Sequence, residues 1–114
     1  MAGERRFEEL RAWQLCLELS DVIYELTEEG PCLSDAEFRD QIRNAAEASA
    51  PLIAEGFIRF TPDEFVRYLR MARGEIAEVQ SKLESARRKR YFTPDQHTRA
   101  ESIAGRAMGV TTAC

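Results

Sequence analysis

TPDEFVRYLRMARGEIAEVQSKLESARRKR occupies residues 61–90, and its apolar spacing decides the fold. From Phe65 the apolar positions run Phe65, Leu69, Ala72, Ile76, Val79, Leu83, Ala86. Steps of four and three in alternation make a heptad seam, the mark of a helix packed at a shallow angle on its neighbours. The four residues ahead of the seam are a helix start. Thr61 is placed to accept the backbone amide of Glu64, Pro62 suits the first helical position, and Glu64 can reach back to Thr61. The same device recurs as Thr93-Pro94-Asp95-Gln96, followed by Ala100, Ile103, Ala107, Val110 and Cys114 on the same rhythm. Two start signals therefore predict two helices, roughly residues 62–90 and 94–113.

Working outward, residues 7–28 predict a further helix. Ala12, Cys16, Leu19, Ile23 and Leu26 form one seam, while Leu10, Trp13, Leu17 and Tyr24 widen the apolar face. A face that wide suggests more than one neighbour. Glu29-Gly30-Pro31 ends it. Ser34 or Asp35 then caps a second helix that carries Phe38, Ile42, Ala45, Ser49 and Leu52/Ile53. No stretch alternates with period two for long enough to make a strand. The expectation is a single all-α domain over residues 1–114, an antiparallel up-down-up-down four-helix bundle.

Composition sets outer bounds. The chain of 114 residues is 44% hydrophobic and 32% charged, which suits one folded domain and argues against disorder. No apolar run approaches the length of a membrane span, and the opening MAGERRFEEL lacks the apolar core of a secretion signal. Cys16, Cys32 and Cys114 have no CxxC spacing, so reduced thiols and a cytoplasmic location are expected. The net charge of −4 conceals an asymmetry: residues 1–64 hold 6 Lys+Arg against 15 Asp+Glu, and residues 65–114 hold 10 against 5. An acidic front and a basic rear fit intersubunit complementarity as readily as a nucleic-acid surface.

Chemistry is sparse. A di-iron centre in such a bundle needs two Glu-x-x-His pairs, and the chain has one histidine, His97, which excludes it. His97 falls in the first turn of the last helix, where a solvated or locally bonded ring is expected. There is no glycine-rich phosphate loop and no metal-spaced cysteine pair, so neither cofactor nor metal is expected. Glu55 and Arg59 are spaced to pair on a continuous helix, and Glu78 sits one position before a seam residue. They read either as a polar site inside the bundle or as an ion-pair network that sets helix register. Arg67, Arg70 and Arg73 step along one side of the third helix, and Arg87-Arg88-Lys89-Arg90 closes it. Cations suit a helix C-terminus, and arginines suit phosphate, so both a solvated or subunit-facing surface and a phosphate patch stay open.

FEELRAWQLCLELSDVIYELT (residues 7–27) and QIRNAAEASAPLIAEGFIRFTPDEFVRYLRMARGEIAEVQSKLESA (residues 41–86) together resemble the four-helix-bundle family of 23S rRNA intervening-sequence proteins. The accessory proteins of diversity-generating retroelements are more distantly similar. The resemblance rests on Trp13 with Tyr24, Gln41-Ile42-Arg43, Ile53-Ala54-Glu55-Gly56 with Arg59, Glu64-Phe65, and Gly74 with Glu78. Leu52 stands where members usually have Asn, and Asn44 where they usually carry a second Arg. The resemblance implies a non-enzymatic homo-oligomer, typically a ring of five, linked to structured RNA or to a nucleic-acid enzyme. It also implies a reading of Pro51, which otherwise costs a helix about 3 kcal/mol. Members keep a proline near this point, so a kink built into the second helix is expected, with Ser49 serving a nearby carbonyl and Gly56 allowing a left-handed turn or a close helix approach. A nucleic-acid-binding module built on the basic third helix is the alternative function.

Overall fold

The computed structural model describes residues 3–113; Met1, Ala2 and Cys114, the last expected seam position, lie outside the described residues. Four helices account for most of the chain: α1 Arg11–Leu26, α2 Ala36–Ile58, α3 Pro62–Lys89 and α4 Pro94–Ala113. Each packs against its two neighbours around a square, α1 on α2 and α4, α3 on α2 and α4, which is the expected antiparallel bundle. With 28 residues α3 is the longest element, and at about 1.5 Å per residue its length accounts for the 44 Å long axis. No strand occurs among the described residues.

The caps explain where the helices begin. Thr61 Oγ1 accepts from Glu64 N at 3.2 Å, and Thr93 Oγ1 from Gln96 N at 3.1 Å. At α4 the box closes, because Thr93 N donates to Gln96 Oε1 at 2.9 Å. At α3 the Glu64 carboxylate turns to Arg67 at 3.4 Å. Of the two candidates ahead of α2, Asp35 is the cap, accepting from Phe38 N at 3.1 Å. Ser34 belongs to a preceding 3-10 turn, Pro31–Ser34, where its hydroxyl donates to Pro31 O.

The first helix is shorter than its apolar pattern. Phe7–Glu9 is a separate 3-10 turn, and Leu10 is extended, so α1 begins at Arg11. Glu9 holds that turn by accepting the backbone N–H of Arg5 at 2.8 Å. The turn lays Phe7 edge-on against Trp13, with ring centroids 5.4 Å apart, and buries Leu10 in the core. Much of the wide apolar face is thus covered within the subunit, while Leu17 stays exposed.

The core is the seam read from the sequence. Leu69, Ala72, Ile76, Val79, Leu83 and Ala86 of α3 share one buried core with Leu15, Leu19 and Ile23 of α1 and Ile42 and Ile53 of α2. Full burial of each large aliphatic side chain contributes about 1.5–3 kcal/mol. α2 runs through Pro51 without ending, and Ser49 Oγ donates to Ala46 O at 2.9 Å. Gly56 is helical and takes the close-approach role: a Cβ there would lie 2.5 Å from Tyr68 Cβ. Besides Gly3 and Gly30, two non-glycine residues have positive φ among the described residues, Phe60 (φ 66) after α2 and Arg90 (φ 58) after α3. Arg90 closes a Schellman motif, with Tyr91 N bonded to Ala86 O and Arg90 N to Arg87 O.

Candidate nucleic-acid interface

Both basic groups of α3 reach the surface, at different ends. Arg67 and Arg70 are exposed and Arg73 is half-buried. Between Arg73 and Arg87 run 14 residues of helix, about 21 Å, and between Arg67 and Arg87 20 residues, about 30 Å. Arg67 lies over the Tyr68 ring at 5.2 Å. At the other end, Glu84 takes two bonds from Arg87, the shorter 2.6 Å, and a longer contact from Arg88 at 3.5 Å. That pairing holds the Glu84 carboxyl below its ordinary range. Lys89 reaches Asp35 at 3.6 Å. Arg90 forms no ion pair among the described residues. Of the four cations in the block, Arg90 is therefore the one fully available to an outside anion.

An open pocket of about 480 Å³ lies where α3 hands over to α4, lined by Arg87, Arg90, Phe92, Pro94, His97 and Thr98. Its walls are mostly hydrocarbon, with the two guanidiniums at the rim. His97 corrects the sequence reading, which expected a solvated or locally bonded ring: the side chain is 90% buried. The reason is register. His97 stands three residues before Ala100, on the seam that α4 turns toward α3. Its Nε2 lies 3.1 Å from Glu101 Oε2 but without hydrogen-bond alignment, and Nδ1 has no partner.

Aromatic packing builds the floor of this corner. Phe38 of α2 meets Tyr91 edge-on at 5.0 Å and Phe92 at 6.3 Å. The Tyr91 hydroxyl donates to Asp35 Oδ2, while Oδ1 of the same carboxylate caps α2. The Tyr91 bond, then the Phe38 amide and the Lys89 charge, hold Asp35 below the usual carboxylate range. The Asp35 carboxylate pushes the Tyr91 phenol up.

The remaining residues singled out from the sequence are scattered rather than convergent. Arg43 bridges to the end of α1: Nε donates to Thr27 Oγ1 at 2.7 Å, Nη2 to Tyr24 O at 3.4 Å, and the guanidinium covers the Tyr24 ring at 4.3 Å. Glu55 and Arg59 do pair, at 2.9 Å, and the Tyr68 hydroxyl donates to the same Glu55 oxygen. The pair is about half exposed, so it is a surface cluster and not a polar site inside the bundle. Arg59 first, and Tyr68 second, lower the Glu55 carboxyl. Glu78 is exposed and lies elsewhere on α3, where its charge adds to burial in raising Glu75. Pro51 lines a shallow groove with Leu52, Met71 and Gly74. The exposure of Phe60, the burial of His97 and the left-handed backbone of Arg90 were not read from the sequence. A signal was present for His97, its place on the seam; the two left-handed residues had none, since neither is glycine or asparagine.

No group of three or more His, Cys, Asp or Glu side chains suited to a metal occurs among the described residues. Nor is any helix long and apolar enough to cross a membrane among them. Cys32 is buried, which pushes its thiol up, and Cys16 is a core residue. A family model described as 23S rRNA-intervening sequence protein matches residues 8–111. A comparison with curated proteins finds no match.

Proposed function

We propose, from the premise that the chain belongs to the 23S rRNA-intervening sequence protein family, a non-catalytic homo-oligomeric scaffold of the cytoplasm, with structured RNA or a nucleic-acid enzyme as its client. One observation carries the assembly. Large apolar side chains stand outside a complete core: Ile58 is 57% exposed and Phe60 92%, with Val66, Met71 and Leu17 also open. Phe60 is held outward by a left-handed backbone that disfavours any side chain, by about 1–2 kcal/mol. Such residues gain apolar contact when a second copy covers them. A ring of five is the assembly the family resemblance favours. Light scattering across micromolar concentrations tests this: a closed oligomer is expected, and a monomer throughout rejects the reading. Phe60→Ser should loosen the assembly without unfolding the subunit.

The client reading draws on Arg90 and its neighbours at the α3 terminus. A ring repeats the block around its axis, so weak phosphate contacts add through effective concentration. Binding to a structured RNA is expected to be sequence-tolerant and to weaken steeply with salt. Replacing Arg87, Arg88 and Arg90 by Gln should flatten the slope of log affinity against log salt by about 0.7–0.9 for each phosphate no longer neutralised. Salt-insensitive binding, or none at low salt, leaves the scaffold without this client.

A further inference from the structure

We infer that the pocket between α3 and α4 is a site for a nucleoside phosphate, free or as an unpaired residue of RNA, with the phosphate on Arg90 and Arg87 and the base on Phe92. The RNA source, though not the site, rests on the client reading above. The first ground is the composition of the pocket. About 480 Å³ of mostly apolar wall with two guanidiniums at the rim suits a flat ring that carries an anion, and suits bare phosphate poorly. Phe92 is half-buried against Phe38, so its ring is braced from behind and open toward the pocket. Stacking on a braced aromatic is tolerant of base identity.

Arg90 is the second ground. Its backbone is left-handed at φ 58, a place where glycine is the ordinary occupant of the Schellman motif. Conformational preference disfavours arginine here, yet its side chain lines this pocket and the neighbouring one beside Gly30 and Tyr91. Among the described residues it has no carboxylate partner, whereas Arg87, Arg88 and Lys89 each have one. An unpaired guanidinium held in an unfavourable conformation at a pocket rim fits a phosphate ligand better than it fits packing.

The third ground is independent of both. His97 lines the pocket with its side chain 90% buried and neither ring nitrogen hydrogen-bonded. Buried polar groups are nearly always satisfied, and the exceptions mark strain or an absent ligand. The ring sits in the first turn of α4, where the helix dipole adds positive potential beside Pro94 and Thr98. The charges facing it are Glu101 from α4 and Arg87 with Arg90 from the α3 end, Arg87 being engaged by Glu84. An acceptor entering the pocket meets cationic rim, helix N-terminus and unsatisfied imidazole together.

The experiment is a titration of the full chain with adenosine 5′-monophosphate, inorganic phosphate and an unstructured oligoadenylate RNA, followed by amide shifts and calorimetry. The monophosphate is expected to bind at least fivefold more tightly than inorganic phosphate, with shifts at Arg90, Phe92, His97 and Thr98. Phe92→Leu should remove that preference and leave phosphate binding in place. Arg90→Gly should weaken both ligands tenfold or more while the melting temperature holds or rises, since glycine suits the left-handed backbone. Equal affinity for the two small ligands overturns the site, as does wild-type affinity in both variants. Oligoadenylate bound equally by wild type and both variants also overturns it, though the client reading survives. Variant-sensitive binding of the monophosphate without oligoadenylate binding supports the site with a free nucleotide, and the client reading is then decided separately by the structured RNA.

Discussion

Gly56 of α2 and Tyr68 of α3 approach so closely that a Cβ on the glycine would stand 2.5 Å from the Cβ of the tyrosine. That contact is between atoms next to the backbone, so no flexible side-chain tip can yield to relieve it. It sets how near the two longest helices lie, and it brings the Tyr68 hydroxyl to Glu55 at 2.9 Å.

Gly56→Ala should therefore destabilise the bundle. Alanine gains about 1 kcal/mol of helix propensity, but overpacking at a site that cannot relax outweighs it, for a net loss of about 1–3 kcal/mol. Urea unfolding measures the difference. Gly109→Ala is the control, because nothing lies within 4 Å of a Cβ built there. It should stabilise by about 0.5–1 kcal/mol. A gain at both positions would mean that the helices do not touch as described.

Arg43 closes the C-terminus of α1 from across the bundle, through Thr27 Oγ1 and the Tyr24 carbonyl. Arg43→Met keeps the hydrocarbon stem and removes the donors. A loss of about 1–2 kcal/mol is expected, since Thr27 is fully buried and its hydroxyl oxygen loses the Arg43 donor, keeping only its own donation to Ile23 O and, at longer range, Tyr24 O. Lysine should not rescue, because one ammonium cannot stack on Tyr24 and serve both oxygens as the planar fork does. Equal stability of the Lys and Arg forms would reject that geometry.

Asp35 predicts an acid limb. Its carboxyl is depressed in the folded protein by Tyr91, Phe38 N and Lys89. A depressed folded-state value means stability that is present above the ordinary carboxylate range and lost as pH falls through the folded value. Melting curves from neutral pH down to strongly acidic solution should fall less steeply for Asp35→Asn than for wild type. Parallel curves would show that the carboxylate carries no such linkage. The Tyr91→Phe variant should move Asp35 back toward its usual range, as the first cause is removed.

Pro51 leaves the Glu47 carbonyl without its helical donor, and Pro51→Ala restores the N–H. The subunit should gain stability, by about 1–3 kcal/mol, while the fold is kept. If the proline shapes α2 for assembly, the same substitution shifts the oligomer seen by light scattering. A more stable subunit with an unaltered oligomer would make the proline incidental.

Much of the fold was legible because its causes are local. The Thr-Pro-Asp caps, the alternation of three and four through Leu69, Ile76 and Leu83, and the acid ahead of α2 act within a few residues of themselves. The N-terminal turn was not legible: residues 7–10 carry helical spacing, but Glu9 capping its own upstream amides makes a separate turn there. Nor was the candidate site. Phe-Thr-Pro-Asp occurs at residues 60–63 and again at 92–95, identical in sequence and opposite in fate. After α2 the left-handed residue is Phe60 itself, which leaves its ring in solvent. After α3 it is Arg90, two residues earlier, so Tyr91 and Phe92 fold back onto Phe38 and form the corner around His97. Local capping chemistry chooses where a helix starts, and the threonine cap is the same at both corners. Whether the aromatic ring before the cap is buried depends on how far the preceding helix runs and what the neighbouring helix offers, and those contacts join residues more than fifty positions apart.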